Sequence, residues 1–161
     1  MSNSINIEPY NSKHKTACLV AFESNVPIFF TEEELGQFAY FLDHFEANVY
    51  PNSNQRRTYF YVILDHGELI GCGGYGDKDG NQRISLAWGL IHSDFHRKSF
   101  GSTLLKFRLE AIQKHFPDTA VYLDTTHHSS PFYEKFGFQL TKVVPDYFEA
   151  GMHKHELIYQ F

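Results

Sequence analysis

The sequence predicts a mixed fold of the α+β class: a central, mostly antiparallel sheet of six or seven strands with flanking helices, in the order β-α-α-β-β-β-α-β-α-β-β. Three patterns predict it. Residues 58–91 hold successive β-branched and aromatic runs broken by turns rich in Gly and Asp, which is a meander. Residues 31–45 and 105–116 carry apolar side chains at helical spacing. Residues 84–124 read strand, helix, strand, and a crossover of that kind makes its two strands parallel.

The elements follow in order. Residues 4–9 (SINIEP) alternate apolar and polar, as a strand does. Ser12 is placed to cap a helix running to Phe22, with Cys18, Leu19 and Phe22 on one face. Residues 26–30 form an apolar connection containing Pro27. Thr31 and Glu34 then have the spacing of a capping box, and Leu35, Phe38, Leu42 and Phe45 make the apolar stripe of the next helix. Residues 48–57 are polar and read as a loop. A strand at 58–64, a turn at 65–68, a glycine-rich strand at 69–75 and a turn at 77–81 complete two hairpins. In the third strand Ile84, Leu86, Trp88 and Leu90 alternate with Ser85, Ala87, Gly89 and Ile91, so the first four are expected on one face. Leu105, Leu109, Ile112 and Phe116 mark a helix that Pro117 stops, and 120–124 is a short strand. Ser130-Pro131 opens a short helix that Gly137 ends, and strands at 139–144 and 153–160 close the chain.

At 161 residues the chain is expected to form a single domain with a substantial core. A net charge of −5 and the lack of a basic run argue against a nucleic-acid partner. No apolar stretch is long enough to span a bilayer, and the first residues do not have the pattern of a secretory signal. With Cys18 and Cys72 in apolar surroundings and no CxxC spacing, the expected setting is the cytoplasm, with both thiols reduced. Ten histidines invite a metal reading, with His127, His128, His153 and His155 in pairs, but HExxH and Cys/His ligand spacings are lacking and no metal is expected.

The chemistry concentrates at 90–105, LIHSDFHRKSFGSTLL. A strand end leads into a basic loop, His96-Arg97-Lys98, and then into small residues that open a helix. The first N–H groups of a helix lack internal partners and carry its positive dipole end, so the stretch is an anion site suited to a phosphate. About thirty residues later comes Phe132-Tyr133-Glu134-Lys135-Phe136-Gly137-Phe138. The element order, the loop and this second motif together resemble the GNAT superfamily of N-acetyltransferases. The resemblance covers essentially the whole chain and is strongest over 86–138. The family's loop reads Arg/Gln-x-x-Gly-x-Gly/Ala followed by two apolar residues. Gly101, Leu104 and Leu105 fit it, whereas His96 stands for Arg or Gln and Ser99 for the first Gly.

The resemblance implies acetyl-coenzyme A as co-substrate. Its pyrophosphate would lie on the main chain of Arg97, Lys98, Ser99, Phe100, Gly101, Ser102 and Thr103, with His96 lending charge. Its pantetheine arm would pair with the strand end at Leu90 and Ile91. Ser99 is acceptable there at negative φ; at positive φ it costs roughly 1 kcal/mol. Tyr133 is the implied acid that protonates the leaving thiolate, since a phenol titrates near about 10 and is protonated at neutral pH. Phe132 and Thr126 would border the cofactor, and Phe132 and Phe136 are expected to face the core. An attacking ammonium must also lose a proton; of the polar groups near the strand end, His92 is the candidate base because an imidazole titrates near about 6.5. Phe29, Phe30 and Tyr147, with the acidic residues Glu32, Glu33, Glu34, Asp146 and Glu149, would line an acceptor pocket suited to a cationic amine. The expected partner is a small-molecule amine, and family habit points to a homodimer through the last strands. The alternatives are acetylation of a protein N-terminus or lysine, and a non-catalytic acyl-coenzyme A-binding regulatory module.

Overall fold

A computed structural model describes residues 4–45, 58–77 and 83–161. The elements are β1 (Ile5–Pro9), α1 (Lys15–Glu23), α2 (Glu32–His44), β2 (Thr58–Asp65), β3 (Glu68–Asp77), β4 (Ile84–Ile91), α3 (Phe100–His115), β5 (Val121–Thr126), α4 (Ser130–Glu134), β6 (Gln139–Glu149) and β7 (Met152–Tyr159). The expected loop at 48–57, and the turn at 77–81 beyond Asp77, lie outside the described residues. The seven strands form one sheet in the order β1-β2-β3-β4-β5-β7-β6. Every pairing is antiparallel except that of β4 with β5.

Local chemistry sets the element ends. Asn11, not Ser12, closes the first helical turn. Its side chain accepts from the Lys13 N–H at 3.0 Å, and its own N–H donates to His14 Nδ1 at 3.1 Å. A 3-10 turn over Ser12–His14 therefore precedes α1. The capping box of α2 forms as expected: the Glu34 N–H donates to Thr31 Oγ1 at 3.1 Å, and the Thr31 N–H to Glu34 Oε1 at 3.0 Å. The β2–β3 hairpin turns on His66 and Gly67, with φ of 51° and 80°, where two positive φ values match the strand twist. Gly137, at φ 100°, ends the α4 segment.

Helices α1 and α2 cover one face of the sheet. Cys18, Phe22, Phe38, Leu42 and Phe45 pack there on Phe60, Val62, Cys72 and Leu90. On the other face Leu105, Leu109 and Ile112 of α3 pack with Ile84, Leu86, Val121, Leu123, Leu157 and Tyr133. The strict alternation expected along β4 fails midway. Ile84 and Leu86 belong to the α3 side, whereas Leu90 and Trp88 pack on the α1–α2 side and Ile91 returns to the α3 side. A bulge is the reason. Cys72 pairs with Leu90 and Gly74 with Ala87, so Trp88 and Gly89 together oppose Gly73, and Trp88 takes a φ of 48°. One extra residue reverses the facing of everything after it.

The bulge is accommodated by missing side chains. A Cβ on Gly73 would lie 3.2 Å from Arg108 Cζ, and one on Gly89 would lie 2.7 Å from a guanidinium nitrogen of Arg108. Arg108 thus occupies the space the two glycines leave and donates to the Gly74 carbonyl at 3.3 Å. At Gly74 itself a Cβ would run into the Tyr59 carbonyl of β2. Backbone cannot swing away as a side-chain tip can. Gly74→Ala is therefore expected to destabilise the protein by ~1–3 kcal/mol, read as a lower urea midpoint in equilibrium unfolding.

Candidate active site

β4 and β5 pair only at Ile84 with Val121 and at Ser85 with Tyr122. Beyond these two steps the strands part, and the β4 edge from Leu86 to Ile91 faces a crevice at the carboxyl ends of both strands, the usual ligand site of such sheets. The start of α3 closes one end of the crevice. The Thr103 N–H and Oγ1 both donate to the Ser99 carbonyl, at 3.1 and 3.0 Å, so Thr103 is spent within the helix. The N–H groups of Phe100, Gly101 and Ser102 precede the first intrahelical bond and are directed out of the helix end. Arg97 and Lys98 are exposed beside them. Ser99 has a φ of 67°, so the position where the family pattern has glycine is left-handed here as well, and its hydroxyl does not cap the helix. Replacing it tests that strain: Ser99→Gly is expected to raise stability by about 1 kcal/mol, seen as a higher denaturant midpoint.

The second motif lies against the same helix end. Phe132 packs over Gly101, where a Cβ would lie 3.5 Å from its ring. Tyr133 and Phe138 are the buried members of the motif; Phe132 and Phe136 are half-buried against the core. Phe132 and Phe138 meet the Tyr133 ring edge-on at 5.1 and 5.6 Å and fix its orientation. Thr126 is buried at the end of β5, and its Oγ1 accepts from the Ser129 N–H at 3.4 Å, which shapes the turn into α4.

The end of β4 carries contacts that the sequence did not reveal. The His92 N–H donates to the Ile70 carbonyl at 2.7 Å across the sheet, so the Ile91 carbonyl, one residue earlier, points the other way, toward the crevice. Two side chains already donate to it: Asn25 Nδ2 at 2.9 Å and His96 Nε2 at 2.8 Å. Asn25 is buried, and next to it Ser24 Oγ accepts from the Ser93 N–H at 3.0 Å. The end of α1 is thereby fastened to the end of β4. A polar pair after a helix reads in sequence as a simple stop, and nothing in its spacing points to a strand 66 positions away.

His92 serves a turn. Its Nδ1 accepts from the Asp94 N–H at 3.1 Å and caps the 3-10 turn Ser93–Phe95. His96, expected to assist the phosphate, instead turns back to Ile91, and Phe29 meets its ring edge-on at 5.6 Å. Phe29 also meets His128 edge-on at 6.2 Å. It thus bridges the loop after β4 and the turn after β5. Phe30 stacks on Phe22 at 4.2 Å and belongs to the aromatic core. Tyr147 is exposed, with the Lys154 ammonium 4.1 Å above its ring. Burial pushes the Glu34 carboxyl above its usual range, against the lowering effect of its Thr31 bonds, and Glu149 and Glu33 add to the rise.

The histidine pairs form one group. The His127 ring lies 4.0 Å from His128, 4.8 Å from His153 and 6.3 Å from His155 between centroids. His127 Nδ1 accepts from the His153 N–H at 3.2 Å, and His153 Nδ1 accepts from the Asp146 N–H at 3.0 Å. Among the described residues, no group of three or more His, Cys, Asp or Glu is arranged to hold a metal ion. Desolvation, followed by the three neighbouring imidazoles, lowers the His127 pKa. The unfolded chain then binds a proton more readily than the folded one, so this contribution to stability is lost as pH falls through the ordinary value of about 6.5. In an NMR titration of the ring carbons, His127 is expected to titrate below that value.

The sequence matches the acetyltransferase (GNAT) domain over residues 56–140, more than half of the chain. The chain belongs to the GNAT acetyltransferase family. It is accordingly an acyltransferase. No curated protein sequence matches the chain. Among solved structures, the fold is shared with the ribosomal-protein-S18-alanine N-acetyltransferase of Escherichia coli, at 12% identity and a TM-score of 0.72, covering 97% of this chain and 93% of that one. It is shared with a chimeric spermidine N-acetyltransferase from Vibrio cholerae, at 12% identity and 0.74, covering 98% and 96%. It is shared too with a GNAT family acetyltransferase from Elizabethkingia anophelis with acetyl-CoA bound, at 16% identity and 0.67, covering 99% and 100%. Among the described residues, no helix is long and apolar enough to cross a membrane.

Proposed function

We propose that the protein transfers the acetyl group of acetyl-coenzyme A to a primary amine of a small molecule, by direct attack with both substrates bound. The observation that carries this reading is the parting of β4 from β5 beside the start of α3. An open strand edge suits the amides of a pantetheine arm, and the N–H groups of Phe100, Gly101 and Ser102 suit a pyrophosphate. Arg97 and Lys98 add charge for the phosphates, while Ser99 and His96 shape the loop that presents these groups. Leu90 and Ile91 border the arm. Phe132 lies on Gly101 at the helix start, which favours a position for Tyr133 beside the same crevice, where its hydroxyl would donate to the departing sulfur. Thr126 holds the turn that carries this short helix.

A small acceptor is favoured by Phe29. By touching both His96 and His128 it spans the crevice mouth, where an extended peptide would have to pass. Glu149 near Glu34 and Glu33 adds negative potential on the acceptor side, which favours a cationic amine.

Calorimetry with acetyl-coenzyme A and thiol release with a panel of primary amines test the reading together. Binding and amine-dependent thiol release are expected in the wild type. Tyr133→Phe is expected to leave binding unchanged and to lower kcat by ~10²-fold or more. Binding with no release on any amine would overturn the catalytic reading, and release only on peptides would move the acceptor to a protein.

A further inference from the structure

We infer that His96 is the base that takes the proton from the attacking ammonium, accepting it at Nδ1 while Nε2 donates to the Ile91 carbonyl. This deepens the function proposed above and rests on it. A carbonyl oxygen only accepts hydrogen bonds, so at 2.8 Å the Nε2 of His96 must carry hydrogen. A neutral imidazole has one N–H, and Nδ1 of His96 is therefore the bare nitrogen. The same reasoning removes three of its rivals. His92, His127 and His153 all use Nδ1 to accept a backbone N–H, so their neutral rings carry hydrogen on Nε2 and have no lone pair left for a substrate proton. His128 is exposed, and its ring lies against those of His127 and Phe29.

Position agrees with tautomer. The Ile91 carbonyl lies at the crevice end of β4, and Ile91 Cγ1 lies 3.9 Å from where a Gly101 Cβ would be. Phe132, next to Tyr133, touches that same point at 3.5 Å. His96 thus stands at the strand end where the thioester would emerge, and Phe29 packs on it from the acceptor side. The carbonyl that orients the ring also stabilises the imidazolium that forms. Around it, Arg97 and Lys98 adjoin on its own loop, His92 and Asp94 lie on the 3-10 turn, Phe29 covers it from the α1–α2 connection, and His128 lies beyond Phe29 on the β5–α4 turn.

The step balances. The ammonium gives one proton to Nδ1, and the neutral amine attacks the thioester carbonyl. As the carbon–sulfur bond breaks, sulfur takes a proton from the Tyr133 hydroxyl. The extra proton on the new amide nitrogen restores Tyr133, and the imidazolium releases its proton to water. Ammonium and thioester become amide, thiol and one proton.

His96→Gln keeps a side-chain N–H for Ile91 and removes the basic nitrogen. The probes are phenethylamine, which is an ammonium at neutral pH, and aniline, which is not. The expected result is unchanged acetyl-coenzyme A binding, a loss of about 10²-fold in kcat with phenethylamine, little loss with aniline, and disappearance of the acid limb of kcat/KM. Equal losses with both amines together with weakened acetyl-coenzyme A binding would make His96 a loop support and overturn the inference. An unchanged profile in His96→Gln would overturn it as well, as would loss of the acid limb in His128→Gln instead. Absence of transfer to any amine by the wild type would overturn the proposed function itself and this role with it.

Discussion

The site depends on how little of β4 is bonded to β5. Two residue pairs join them, and then a parallel pair that would otherwise continue is forced open. The bulge at Trp88 and Gly89 does the forcing. It adds a residue to β4 on its β3 side, and such an extra residue bends its strand and increases the local twist. The bulge is itself held by what surrounds it. Trp88, facing the α1–α2 side after the reversal, packs on Phe22 and Phe38 at 5.9 and 5.2 Å. Beneath it, Arg108 lies buried against Gly73 and Gly89. A buried guanidinium with one bond to the Gly74 carbonyl is an expensive way to fill space. Its length is what the arrangement uses: an α3 side chain must cross to the sheet exactly where two glycines have withdrawn theirs.

The second constraint is the Ile91 carbonyl. With donors from Asn25 and His96 it joins three segments far apart in sequence: the end of α1, the end of β4 and the loop before α3. Ser24 and Ser93 add a further bond between the first two. Anything that moves α1 therefore moves the strand end and the loop together. This makes the basic loop less a free turn than a part of the scaffold, and it explains how the loop tolerates two left-handed residues, Arg97 at φ 62° and Ser99 at φ 67°. Glycine at the second position would have made the loop easier to form; the contacts of His96 help hold it with serine.

Much of the architecture was legible because it follows from periodicity. The stripe Leu35, Phe38, Leu42, the capping box at Thr31, and Pro and Gly around α4 each specify one local structure, and their order specifies the sheet. The crossover rule gave the parallel pair. What periodicity could not show was its own interruption. Trp88 and Leu90 continue the alternation of Ile84 and Leu86 in the sequence, and only the pairing with β3 reveals that they face the other way. Residue types likewise marked His92 and His96 as useful without saying which nitrogen each would have to spare. That depends on whether the partner is an N–H or a carbonyl, and both partners are backbone groups invisible to composition.

These two limits have a common origin. A strand pattern records side chains, whereas a crevice between strands is made by backbone groups that lose their neighbours. Ile91 shows the consequence. Its side chain marks it as ordinary core, and it is indeed packed with Phe100 and Leu104. Its carbonyl, left without a strand beside it, would be a buried acceptor lacking a partner, which the fold does not tolerate. Asn25 and His96 satisfy it, and in doing so they set the tautomer of an imidazole at the mouth of the crevice. The opening that makes room for a cofactor is thus also what selects the tautomer of the neutral imidazole beside it.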